Sequence, residues 1–189
     1  CALPIYADGG APFHNVMNQS LVENFEQGAR SEYNVHKLYL DAFEPQVTSA
    51  GQRYPQVNQA ISNDVGNSLY LFYFGHGGIT GWAQERVLTP DEIRNFNNFN
   101  SAYSRFPFVS TITCEFTLWD NPEVESAGEQ TIKHRTGGAA TMITSSRAVG
   151  VAYGRSFTDT FTRRIFELQS NNDFRPLGDA HLEAKKEYG

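Results

Sequence analysis

A chain of 189 residues with 40% hydrophobic content is long enough for one α/β domain with a real core, and its 14 Phe and 9 Tyr exclude a disordered chain. The net charge of −6 comes with scattered basic residues, so no basic patch or stripe marks a nucleic-acid partner. No apolar run approaches a membrane span, and the first residues do not form a signal peptide.

The chain opens on a strand-like stretch, residues 2–7 (ALPIYA), closed by Asp8-Gly9-Gly10. Met17, Leu21 and Phe25, four apart, mark one face of a helix. Residues 35–40 (VHKLYL) form the next strand. Pro55 suits a helix start, with Val57, Ala60, Ile61 and Val65 as its apolar face and Gly66 at its end. Residues 68–74 (SLYLFYF) are almost uninterruptedly apolar, the pattern of a strand buried on both faces.

Thr89-Pro90-Asp91-Glu92 is a capping box with Pro at the first helical position. Residues 106–113 (FPFVSTIT) give another strand, and Ser126-Ala127-Gly128-Glu129 a second capping box whose helix should stop near Gly137. A strand over 139–144 (AATMIT) precedes a longer amphipathic helix marked by Phe157, Phe161 and Ile165. The last residues, AHLEAKKEYG, extend a further helix to the end of the sequence. Strand and helix alternate throughout. The expectation is therefore one α/β domain over 1–189, a mostly parallel sheet with helices on both faces, cut from a longer protein.

Right-handed crossovers place all strand carboxyl ends on one edge of such a sheet, where chemistry gathers. Two strands end there in reactive groups: Phe74 leads into Gly75-His76-Gly77-Gly78, and Thr113 into Cys114-Glu115-Phe116. If the strands are neighbours, their backbones lie about 4.8 Å apart and the side chains leaving their ends converge. Cys114 is then a nucleophile and His76 its base, able to take the thiol proton or hold the thiolate as an ion pair. The N–H of Gly77, unshielded by a side chain, joins the Cys114 N–H as an oxyanion site. Taken singly, each has a plainer reading: a packed cysteine at a strand end and a histidine in a glycine turn. A metal site would need more ligands converging than five widely spread histidines supply. The other cysteine, Cys1, has the character of a small buried hydrophobe, and one pair makes no disulfide framework.

Three more groups lie near that edge. Trp82 follows the His loop as a candidate wall of the cleft, or as a packed loop aromatic. Glu115 adjoins the nucleophile as a candidate substrate contact, or as a cap on a neighbouring backbone group. Ser145 and Arg147 follow the 139–144 strand as candidate pocket residues, with a surface ion pair as the alternative for Arg147.

YFGHGGITGW (73–82), with Glu85 and Leu88 after it, and FVSTITCEFTLWDNPEVESAGE (108–129) resemble the gingipain-like cysteine peptidases. The CEF after the strand and the Asp120, Pro122, Ser126 to Glu129 pattern are most similar to the PorU branch, the sortases of the type IX secretion system. Residues 35–46 and 51–61 support the resemblance. It implies a caspase-like fold, a His76–Cys114 dyad and a place at the bacterial cell surface, associated with the outer membrane. It also implies that the enzyme removes the C-terminal signal domain of secreted cargo and joins the new carboxyl end to anionic lipopolysaccharide, alongside other type IX components.

Family members often place an acidic residue behind the catalytic His. Asp8 is the candidate, and a turn Asp before two glycines is the alternative. Gingipains carry structural calcium, for which Asp120, Asn121 and Glu123 offer oxygen atoms, with solvated loop residues as the alternative. The chemistry itself requires no cofactor. An Arg- or Lys-specific gingipain would need a carboxylate in its specificity pocket, and none is assignable from the sequence. That favours a sortase cleaving after small or polar residues over a digestive protease. A third class, a catalytically silent caspase-like scaffold, is opposed by the intact Cys and His.

Overall fold

The computed structural model describes the backbone of residues 2–7 and residues 21, 33–99 and 104–188. Cys1, Asp8, Met17 and Phe25 lie outside the described residues. The centre is a five-stranded, wholly parallel sheet in the order β2-β1-β5-β8-β9, from β1 (Ala2–Ala7), β2 (Asn34–Tyr39), β5 (Tyr70–Phe74), β8 (Phe108–Ile112) and β9 (Thr141–Thr144). Two small antiparallel hairpins sit outside it: β3 (Gln46–Thr48) with β4 (Gly51–Arg53), and β6 (Gly77–Gly78) with β7 (Gly81–Trp82). The α-helices among the described residues are α1 (Pro55–Val65), α2 (Pro90–Arg94), α3 (Ala127–Lys133), α4 (Val151–Ile165) and α5 (Leu177–Tyr188).

The sheet is covered on both faces, which is why its strands carry apolar residues at nearly every position. Odd-numbered residues of β5 and β8, Leu71, Tyr73 and Val109, pack with Val57, Ile61 and Val65 of α1 and with Trp82, Ile93, Phe116 and Ala127. Even-numbered residues, Phe72, Phe74 and Phe108, pack with Phe161 and Ile165 of α4 and Ala180 and Ala184 of α5. Strand order reverses about β1, with β2 on one side and β5, β8 and β9 on the other. The carboxyl ends of β1 and β5 therefore flank a switch point, the usual crevice of open parallel sheets.

Both expected capping boxes form: Thr89 caps α2 with Glu92, and Ser126 caps α3 with Glu129. α3 stops at Lys133, short of the expected Gly137. His134 leaves the helix with an extended ψ of 130°, and the chain is pinned instead by Asn98, whose side chain bonds both the N–H and the C=O of Gly138 at 2.7 and 2.9 Å. Tertiary hydrogen bonds thus override the local preference for another turn.

Candidate active site

β5 and β8 pair from Tyr70 with Phe108 to Phe74 with Ile112. The Gly75 N–H then donates to the Ile112 carbonyl at 3.3 Å, carrying the parallel pattern past the strand ends. His76 and Cys114 each stand two residues past the last paired positions, Phe74 and Ile112, at the carboxyl edge of the sheet. His76 is exposed, and Cys114 is a half-buried free thiol.

The two strand ends touch at Gly77. A Cβ there would lie 2.5 Å from Thr113 Oγ1 and 3.0 Å from the Gly81 carbonyl, so only glycine permits this approach. The His76 carbonyl accepts the Ala83 N–H at 2.8 Å and the Tyr73 hydroxyl at 2.5 Å. The Ala83 bond marks Gly77 and Trp82 as a non-hydrogen-bonded antiparallel pair. The Gly77 N–H therefore points out of its hairpin, as an oxyanion donor must.

The start of α3 ties the two loops together. Ala127 N–H donates to Ile79 of the His loop at 2.8 Å, and Gly128 N–H donates to Phe116 of the Cys loop at 2.9 Å. Each residue of the Ser126–Glu129 motif has a physical reason. Ser126 caps the helix and also accepts the Leu118 N–H at 3.2 Å. Ala127 is wholly buried. A Cβ at Gly128 would stand 2.1 Å from Thr117 Oγ1. Glu129 accepts a hydrogen bond from the Ser126 backbone at 3.0 Å, and this bond, with that of the Ser126 hydroxyl, holds its carboxyl below the ordinary glutamate range.

The Cys loop is also tied to the strand beyond it. Thr117 N–H donates to Ser145 at 3.3 Å, Glu115 N–H to Arg147 at 3.4 Å, and the Ser145 hydroxyl to the Thr113 carbonyl. Glu115, next to the nucleophile, holds a left-handed φ of 50°, an unfavourable conformation for a side chain with a Cβ. Such conformations gather at functional sites, where the surroundings enforce them.

The remaining candidates divide. Ser145 and Glu115 both belong to the hydrogen-bonded junction between the Cys loop and the strand beyond it. Arg147 pairs with Asp120 through two hydrogen bonds, one at 3.1 Å, which lower the Asp120 pKa and raise that of Arg147. Both side chains are exposed, so Arg147 follows the ion-pair alternative. Trp82 does not wall the cleft. It is 1% exposed, stacked on Tyr73 with centroids 4.3 Å apart and tilted against Phe116 at 5.5 Å. An indole of that size gains more by filling the odd-numbered face than by bordering solvent.

Of the calcium candidates, Asp120 is engaged by Arg147 and Asn121 Oδ1 accepts the Glu123 N–H at 3.0 Å. Among the described residues no group of three or more His, Cys, Asp or Glu side chains converges as a metal site. Asp8 lies outside the described residues.

Sequence reasoning missed Tyr73, whose hydroxyl anchors the His loop from inside an apolar strand, and the bracing role of Ala127 and Gly128. The only sequence signal was parity for Tyr73 and the tightness of an Ala-Gly pair after a cap. A concavity of about 910 Å³, lined by Arg53, Asn58, Trp82, Arg86 and Asp91 among others, contains neither Cys114 nor His76 among its described lining residues.

Comparison with known proteins agrees with this architecture. The crystal structure of the Arg-specific cysteine proteinase gingipain R (RgpB) superposes with a TM-score of 0.71 at 18% identity, over 97% of this chain and 40% of that one. The complex of Porphyromonas gingivalis RgpB pro- and mature domains gives 0.72 at 17% identity, over 99% of this chain and 42% of that one. At such identities the likeness establishes the caspase-like fold, and this chain spans about two-fifths of the length of those it matches. No curated protein matches the sequence. The model of peptidase family C25 matches residues 4–189, nearly the whole sequence, and the chain therefore belongs to that family, the gingipain family of cysteine peptidases.

Proposed function

We propose that this chain is the catalytic domain of a cysteine peptidase and transpeptidase, with Cys114 as nucleophile and His76 as general base. The observation that supports the reading is the pairing of β5 with β8, whose neighbouring carboxyl ends lead directly into the His76 and Cys114 loops. His76 takes the Cys114 proton, and the sulfur attacks the scissile carbonyl carbon, forming a C–S bond. Charge collects on the carbonyl oxygen, toward which the Gly77 and Cys114 N–H groups are the candidate donors. Collapse breaks the C–N bond, and the imidazolium protonates the departing amine. The thioester that remains is opened by water, giving an acid, or by an amine, giving an amide; either attack returns the thiol.

The amine route is the sortase reading. The enzyme removes the C-terminal signal domain of type IX secretion cargo at the outer-membrane surface and joins the cargo to anionic lipopolysaccharide. Its support is the PorU-like CEF and Asp120 to Glu129 sequence, together with the bracing role of the Ser126–Glu129 motif between the two loops. The competing reading, a secreted Arg- or Lys-specific hydrolase, draws on the fold neighbours, one of which is described as Arg-specific.

Mass spectrometry of cargo termini separates the two. The protein is incubated with cargo, with and without a millimolar primary amine. The sortase reading expects amide in place of part of the free acid, and no product from Cys114→Ala. Cleavage only after Arg or Lys, with the amine never incorporated, establishes the hydrolase instead.

A further inference from the structure

On the α4–α5 side of the sheet, beside the strand ends, lies a cavity of about 460 Å³ that the dyad does not use. This is within the size range of ligand sites. Ile112 and Ile143 from the strands, and Val149, Gly154, Phe157 and Ala184 from the helical side, line it. Ile112 is the last residue of β8 and stands two residues before Cys114. Gly154 sits where a Cβ would be 2.6 Å from Ile112 Cγ2 and 3.2 Å from the Phe74 ring, at the ends of the same two strands that carry Cys114 and His76. Ser145, another lining residue, bonds the Thr113 carbonyl directly before the nucleophile. A substrate with its scissile carbonyl against Cys114 therefore has its acyl-side residue next to this opening.

We propose that the cavity receives the side chain on the acyl side of the scissile bond and selects a large apolar one, aromatic or branched aliphatic. The inference rests on Cys114 being the nucleophile. Charge argues first. Among the described lining residues none is Asp or Glu; the charged one is Lys185, and His181 meets Phe157 edge-on at 5.8 Å. An Arg or Lys side chain would lose hydration there without a carboxylate and would meet a like charge. Size argues next. Small side chains leave apolar wall in contact with water, whereas a Phe or Leu side chain removes it. The sequence-based expectation of a small or polar residue gives way on this point, because the depth beside Ile112 is made by α4 and α5 closing over the sheet.

The test uses a panel of peptidyl acyloxymethyl ketones identical except for the residue beside the warhead: Phe, Leu, Ala, Arg or Lys. The readout is the second-order rate of Cys114 alkylation by mass spectrometry with peptide mapping. Phe and Leu probes should react on the order of 100-fold faster than Ala, and Arg and Lys no faster than Ala. Val149→Trp, which fills the cavity, should reverse the order of Phe and Ala. Lys185→Glu, a surface change that does not depend on core repacking, should raise Arg relative to Phe at least about tenfold. Fastest labelling by Arg or Lys in the native protein, equal rates across the panel, or an unchanged ratio of Arg to Phe rates in Lys185→Glu would overturn the inference while leaving the nucleophile in place. Failure of every probe at Cys114, with iodoacetamide still reacting there, overturns the nucleophile and the inference together.

Discussion

The two faces of the sheet are built for opposite ends. On the odd-numbered face, Tyr73, Trp82 and Phe116 form a dry stack, and the residual void beside Trp82 is about 10 Å³. On the even-numbered face, the same two strands end beside an opening of about 460 Å³. The first face fixes where the His and Cys loops run; the second provides room for a substrate beside them. Rigid backbone on one side and space on the other is the division a nucleophile–base pair needs, since small errors in position cost large factors in rate.

Emptying the dry face should give the larger loss. Trp82→Ala removes a fully buried indole and the stacking partner of Tyr73, so it should destabilise the domain by about 3–5 kcal/mol. The shift in chemical-denaturation midpoint at constant slope reads this directly. A cost below about 1 kcal/mol would mean that the face is not a closely packed support, and the contrast between the faces would break.

A finer cut tests whether that support positions His76. Tyr73→Phe keeps the stacked ring and removes only the hydroxyl that bonds the His76 carbonyl, leaving the Ala83 bond in place. Stability should fall by about 0.5–1.5 kcal/mol. If Tyr73 acts through His76, kcat should drop about tenfold with KM nearly unchanged, as for an interaction realised mainly in the transition state. A loss of stability with kcat intact would reduce Tyr73 to a structural role.

What the sequence revealed follows the same line between local and tertiary causes. β5 and β8 were legible because apolar runs of that length identify buried strands, and the reactive residues stand directly after them. The caps at Thr89 and Ser126 were legible because a capping box is a four-residue interaction. The stop of α3 was not, since Asn98, distant in sequence, decides it. The β3–β4 and β6–β7 hairpins escaped notice: their strands have three and two residues, too short for any periodicity. Trp82 was left between a cleft wall and a packed loop aromatic, because its burial depends on Tyr73 and Phe116 meeting there. The cavity depends on α4 and α5 closing over Ile112 and Ile143, which no local pattern announces.

The central claim is that Cys114 and His76 act as one unit, and the rate of Cys114 alkylation with and without His76 tests it most directly. Iodoacetamide labelling is followed by mass spectrometry in the native protein and in His76→Ala under one set of conditions. The account predicts that the native Cys114 is labelled at least about tenfold faster than the same residue in the variant, because the imidazole takes or holds its proton. Equal rates in the two proteins would contradict it.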